Sequence, residues 1–173
     1  MPITAEEERA DAFREAAALA GFDVDGCPVL LGEYEPGGLV ETLPGYRLAS
    51  QILDNNIPEV SAIIAGSDIL VAGVLQALYE RRLRVPDDIS LIGYDDSMTR
   101  FLSPPLSSIG QPYDAIGRAA IELVEAARQR PVGSVASPTR SVETSLVLRH
   151  SVGPHQAVSS ARSIPQGMAP NES

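Results

Sequence analysis

The sequence predicts an α/β fold, a mostly parallel sheet flanked by helices. Three adjoining stretches carry that expectation. VSAIIAG (60–66) is a continuous apolar run of the kind found in a strand buried on both faces of a parallel sheet. SDILVAGVLQALYERRLRV follows at once with helical spacing, and DDISLIGY supplies a second apolar run, a strand over about residues 89–93. Strand, helix and strand joined by short connections form a βαβ unit, and a chain of 173 residues is the length of one domain of ordinary size.

The remaining elements follow in chain order. ITAEEERADAFREAAALAG opens with a capping-box pattern, Thr4 followed by Glu7, places Phe13, Ala17 and Ala20 on one stripe and stops at Gly21, so a helix is expected over 5–20. CPVLLGEY (27–34) reads as a short strand. EPGGLVETLPG is turn-rich, and Pro44 can occupy the first turn of a helix running to about Asn56. The helix after residue 66 starts at a Ser67 or Asp68 cap, with Asp68 the stronger candidate, and Arg81, Arg82 and Arg84 complement the dipole at its solvated far end. FLSPPLSSIGQP holds too many prolines for a helix and one short extended stretch. YDAIGRAAIELVEAARQ (113–129) is amphipathic, with Ile116, Ala120, Leu123 and Ala127 at helical spacing. RSVETSLVLRH (140–150) ends the structured part as a strand, and the polar, proline-containing residues 153–173 are expected to form a disordered tail.

Composition excludes several chemistries. A net charge of −10 gives no concentrated positive field for a nucleic-acid backbone. All 13 basic residues are Arg, so P-loop, Schiff-base and lysine-supported aspartyl-phosphate chemistry have no amine to use. Cys27 is the single cysteine, which removes an internal disulfide and any CxxC site, and both histidines, His150 and His155, fall late in the chain. No apolar run nears the roughly 20 residues that cross a bilayer, and the acidic N-terminus is unlike an export signal. A cytoplasmic protein with no membrane contact, no metal and no cofactor is the expectation.

SLIGYDDSM (90–98) sets Asp95 and Asp96 side by side where an apolar run stops. Such a pair can bind a metal, accept hydrogen bonds from a small ligand, or cap a turn. Ligands of open α/β sheets sit beyond the carboxyl ends of the strands, and Tyr34, Ser67, Asp95 and Asp96 all directly follow predicted strands.

Several strings together resemble the LacI/GalR family of ligand-responsive transcriptional repressors, in their effector-binding domain. The most specific is AIIAGSDILVAGVLQALYERRLRVPDDISLIGYDDSMTRFLSPPLSSIGQP, residues 62–112, with the ordered elements VPDDISLIGYDD and PPLSSIGQ. ERADAFREAAALAG resembles the arginine helix of that family and LGEYEPGG its G-D-aromatic segment, so the likeness runs from residue 5 to about 152. It implies a periplasmic-binding-protein-like fold of which this chain holds the truncated C-terminal subdomain, residues 1–152, and a cleft that takes a sugar or nucleobase-like effector.

Carried over by position, the resemblance implies effector contacts at Arg9, Tyr34, Ser67 and Asp95, with Gln111 at the crossover between subdomains. An arginine fork suits hydroxyls or a carboxylate, a tyrosine face can stack on a ring, and Asp95 would accept from ligand hydroxyls. Ser67 stands where many members have Asn, and Ala12 where Gly is usual. Each residue also has a plainer role: a surface arginine, a rim aromatic, a helix cap at Ser67, a polar loop residue at Gln111. Asp96 is read as the cap of the SMTRFL turn.

The resemblance makes the chain a binding module, not an enzyme, that in a full-length homodimer would shift DNA affinity; DNA contact would come only through an N-terminal region absent from this chain. Two alternatives stand beside it: a Mg²⁺-dependent phosphotransfer or hydrolase domain using Asp95 and Asp96, with Asp68 as the third acid, and a transport-type sugar-binding protein. The helix at 113–129 would cross to the other subdomain, so in this chain its apolar stripe is expected to lie exposed and to favour self-association or marginal folding.

Overall fold

A computed structural model describes residues 4–24, 27–31, 44–54, 60–129 and 139–154. Its elements are α1 (Ala5–Leu19), α2 (Pro44–Asp54), β1 (Ala62–Ile64), α3 (Asp68–Glu80), β2 (Ser90–Asp95), β3 (Ser107–Gly110), α4 (Tyr113–Arg128) and β4 (Ser145–Val147). The sheet order is β1-β2-β3-β4; β1, β2 and β3 run parallel and β4 returns antiparallel to β3. The fold is therefore α/β with a mostly parallel four-stranded sheet, as the alternation of apolar runs and helices predicts. The tail beyond residue 154 and Tyr34 lie outside the described residues.

Local chemistry fixes the ends of α1. The Thr4 hydroxyl accepts from the Glu7 amide at 3.3 Å while the Glu7 carboxylate accepts from the Thr4 amide at 2.7 Å, a complete capping box. At the other end Gly21 takes a left-handed φ of 83°, and the Phe22 amide reaches back to the Ala17 carbonyl. The buried face of α1 carries Ala10 and Ala17; Ala20 is exposed at the C-cap, one position past the last helical residue, Leu19.

The core lies between α3 and one face of the sheet. Val71, Val74, Ala77 and Leu78 of α3 pack with Ile63, Ala65, Ile89, Leu91 and Leu106, and Ala49 of α2 closes the cluster. α2 and α3 approach closely because two glycines face each other's backbones: a Cβ on Gly73 would collide with the Tyr46 amide nitrogen, and one on Gly45 with the Leu70 carbonyl. The Tyr46 hydroxyl donates to Glu80 at 2.6 Å and Arg81 forks onto Asp54 at 2.8 Å, which pins the far ends of the pair. Arg81 thus does more than complement a solvated helix end; it also donates to the Ala77 carbonyl at 3.0 Å.

Three sequence expectations change in the structure. β1 is not buried on both faces: Ile63 is inside but Ile64 is 52% exposed, because the opposite face of this edge strand has no comparable cover among the described residues. Cys27–Leu31 form no strand, since a strand needs a ladder partner and none of the described strands pairs there. The predicted strand over 140–150 shrinks to Ser145–Val147, after which separate backbone bonds, the His150 amide to the Pro105 carbonyl at 3.1 Å and the Leu91 amide to the Ser151 carbonyl at 2.8 Å, join with side-chain bonds to hold the chain.

Candidate functional site

Parallel pairing brings the carboxyl ends of β1, β2 and β3 to one edge. The Asp95 carbonyl accepts from the Gln111 amide at 3.3 Å, and the Gln111 side-chain amide donates to Asp95 Oδ1 at 2.7 Å. Among the described residues Asp95 Oδ2 accepts from no donor, which leaves one lone-pair face of the carboxylate turned to the edge. The Arg9 guanidinium lies 4.9 Å from the centre of the Tyr94 ring, and a Cβ on Gly66 would come within 3.9 Å of its Nε. α1 thus delivers a cation to the carboxyl ends of β1 and β2. Ser67 precedes α3 with an extended backbone, φ −161°, and its hydroxyl makes no capping bond.

Of the five residues expected from sequence, Arg9, Ser67, Asp95 and Gln111 therefore sit along one edge, and Tyr34 is outside the described residues. Tyr94 and Tyr113 join them unforeseen. Tyr113 opens α4 two residues past Gln111, its amide donating to the Gln111 carbonyl at 2.9 Å, and its phenol is pushed above its ordinary value by desolvation and by the negative field of Asp95, Asp68 and Asp96. Tyr94 follows from pleat alternation, which turns it away from the buried Gly93 toward Arg9; its place directly before Asp95 in the strand was the available signal.

Neither expected cap plays the role the sequence assigns it. Asp68, 2% exposed, does not cap α3; its Oδ2 accepts from the Ser97 amide at 2.7 Å, the Ser97 hydroxyl at 2.8 Å and the Met98 amide at 2.9 Å. Asp96 does not cap the SMTRFL turn, because those amides are already taken. It accepts a fork from Arg149, Nη1 at 2.6 Å and Nη2 at 2.9 Å, and the Thr99 hydroxyl at 2.8 Å. The Arg149 guanidinium holds the Asp96 carboxyl below its ordinary value against the opposing effect of burial.

These anchors hold an uncommon backbone. Asp95 and Asp96 are consecutive non-glycine residues at positive φ, 101° and 56°. Each such residue costs on the order of 1–3 kcal/mol and persists where its surroundings over-determine it, as at ligand clamps. Asp95 turns to Gln111 and Asp96 to Arg149, so the neighbouring carboxylates do not converge as a shared metal site would require, and the described residues hold no cluster of three acidic, His or Cys side chains.

An open, mostly parallel sheet with an arginine, an acceptor carboxylate, an amide and two tyrosines at its carboxyl edge defines a small-molecule-binding domain of the periplasmic-binding type. The family described as a periplasmic binding protein-like domain matches residues 3–152, and the chain belongs to it, as the effector-binding domain found in LacI-family transcriptional regulators. It is 35% identical over 117 residues to the ribose operon repressor of Escherichia coli K12, covering 67% of this chain and 33% of the repressor. Among solved structures it resembles a LacI family regulator of Arthrobacter sp. FB24 in complex with lactose, at 30% identity and TM-score 0.67 over 88% of this chain and 52% of that one. The transcriptional regulator CelR bound to cellobiose matches at 33% identity and TM-score 0.67, over 83% of this chain and 42% of that one. The chain thus spans between about a third and a half of the length of these relatives. Each of these relatives is a transcriptional regulator or repressor. No helix among the described residues is long and apolar enough to cross a membrane.

Proposed function

We propose that this chain is the small-molecule-sensing part of a cytoplasmic LacI-type regulator and that its carboxyl edge takes a sugar-like effector. The observation that carries the reading is the Asp95–Gln111 pair, one acceptor face still open, with Arg9 on Tyr94 beside it. Sugars offer hydroxyl donors to Asp95 and hydroxyl acceptors to Arg9, Ser67 and Gln111, while Tyr94, Tyr113 and Tyr34 supply ring faces. The relatives in complex with lactose and cellobiose favour a saccharide over a nucleobase-like effector. The binding unit runs to residue 152, with 153–173 outside it. In the assembled regulator a homodimer would contact DNA through a region not in this chain, and the effector would act by binding two arrangements of the dimer with different affinity.

Thermal melts of the 173-residue chain with ribose, lactose, cellobiose and a purine base, and with Mg²⁺ separately, test this. A ligand at 100 times its dissociation constant adds about 2.7 kcal/mol to the native state. A saccharide shift that Asp95→Ala removes is the expected result; a shift by the purine alone would replace the effector class, and a shift by Mg²⁺ alone would overturn the reading.

A further inference from the structure

The stretch that follows β4 runs beneath the effector edge and is bonded on both sides. The Ser151 hydroxyl donates to the Leu91 carbonyl and accepts from the Ser107 amide at 2.8 Å, tying the stretch to β2 and β3. Arg149, two residues earlier, does something different. Its amide donates to the Ser107 hydroxyl at 2.9 Å, but its guanidinium, 18% exposed, reaches past the sheet to the Leu106 carbonyl at 2.7 Å and to both oxygens of Asp96. Asp96 is the second of the two left-handed residues, and its own amide donates to the Ser108 hydroxyl at 3.2 Å.

The direction of the Asp95 carboxylate depends on the backbone on either side of it. Upstream, β2 is locked into the sheet. Downstream, the chain can relax from its positive φ toward the β region unless Asp96 is held, and the groups that hold the Asp96 side chain are Arg149 and Thr99. Asp68 grips the next two residues, 97 and 98, and so fixes where the turn goes afterwards.

We propose that Arg149 is a positioning residue for the effector site: by forking onto Asp96 it keeps Asp95 turned toward Gln111. The positioning stands on geometry alone; only its consequence for ligand rests on the function proposed above. The chain after β4 is then part of the sensor, and any change that withdraws it would loosen the acceptor.

The test uses nuclear magnetic resonance on the full 173-residue chain, comparing Arg149→Met, which keeps the aliphatic stem and the backbone bond, with Ser151→Ala, which loosens the same stretch without touching Asp96. Two signals matter: hydrogen exchange at the Asp96 amide, which donates to the Ser108 hydroxyl at 3.2 Å, and the side-chain amide resonances of Gln111, which report its bond to Asp95. Arg149→Met should speed exchange at the Asp96 amide by about tenfold or more and move the Gln111 signals toward those of a free glutamine. Ser151→Ala should leave the Gln111 signals in place even as it lowers global stability. Unchanged Gln111 signals in Arg149→Met, or the same displacement in both variants, would overturn the proposal. Should Arg149→Met fail to fold, Asp96→Asn removes the ion pair with little change of shape and is read by the same signals. Titration with lactose and cellobiose is the separate arm. Absence of binding by the unmodified chain would sink the effector reading and leave the positioning intact; where it binds, Arg149→Met should weaken affinity about tenfold and Ser151→Ala less than about twofold.

Discussion

α3 and α4 both carry apolar residues at helical spacing, yet only α3 has found its partner. Six of its residues are buried, among them Val71 and Ala77 with no exposure at all. α4 has none, and it leaves Ile121 62% and Val124 58% exposed. Ile116, Ala120 and Ala127 of its predicted stripe stay exposed and only Leu123 is half-covered. An apolar stripe is a requirement for a covering surface. The strands that meet α3's requirement lie in this chain; among the described residues nothing meets α4's. The apolar stripe of α4 lies exposed, as the sequence reading expects.

The largest test of that contrast is truncation. Leu78→Ala in the core of α3 should cost about 2–5 kcal/mol, read from urea unfolding, whereas Ile121→Ala in α4 should stay within about 0.5 kcal/mol. Equal costs would mean that α4 is covered in solution. Glycine substitutions sharpen the same difference with smaller effects of opposite sign. Gly73→Ala drives a methyl into the Tyr46 backbone and should destabilise by about 1–3 kcal/mol. Gly117→Ala meets nothing within 4 Å and should stabilise α4 by about 0.5–1 kcal/mol through helix propensity.

The smallest effect is confined to acid. Because Arg149 holds the folded carboxyl of Asp96 below its unfolded value, the pair's contribution is complete above the unfolded value of about 3.9 and is lost as pH falls through the folded one. The midpoint of thermal unfolding should therefore drop more between about pH 5 and pH 3 in the unmodified chain than in Arg149→Met. Parallel profiles would remove the pair from the stability of the body.

How much of this was legible in the chain differs from residue to residue. The capping box at Thr4 and Glu7 and the stop at Gly21 were readable because every partner lies within a few positions. The βαβ unit was readable because burial on one face repeats with a period the residues themselves carry. Asp95 was readable as a residue at the end of a strand. Asp68 and Asp96 were not: each has a cap's local pattern, but the donors that claim them, Ser97 with Met98 and Arg149, are 29, 30 and 53 positions away. Tyr94 offered only its place directly before Asp95 in the strand, and Tyr113 carries no local signal that separates a site aromatic from a surface one.

The sequence by itself therefore determined the helices, the mostly parallel character of the sheet and the edge at which polar side chains gather, since these follow from periodicity and local hydrogen bonding. Tertiary structure alone decided which acid faces the ligand edge and which is consumed in holding it there. Carboxylates with identical chemistry differ only in the donors that reach them, and that is set by how β2, β3 and the stretch after β4 come together in space.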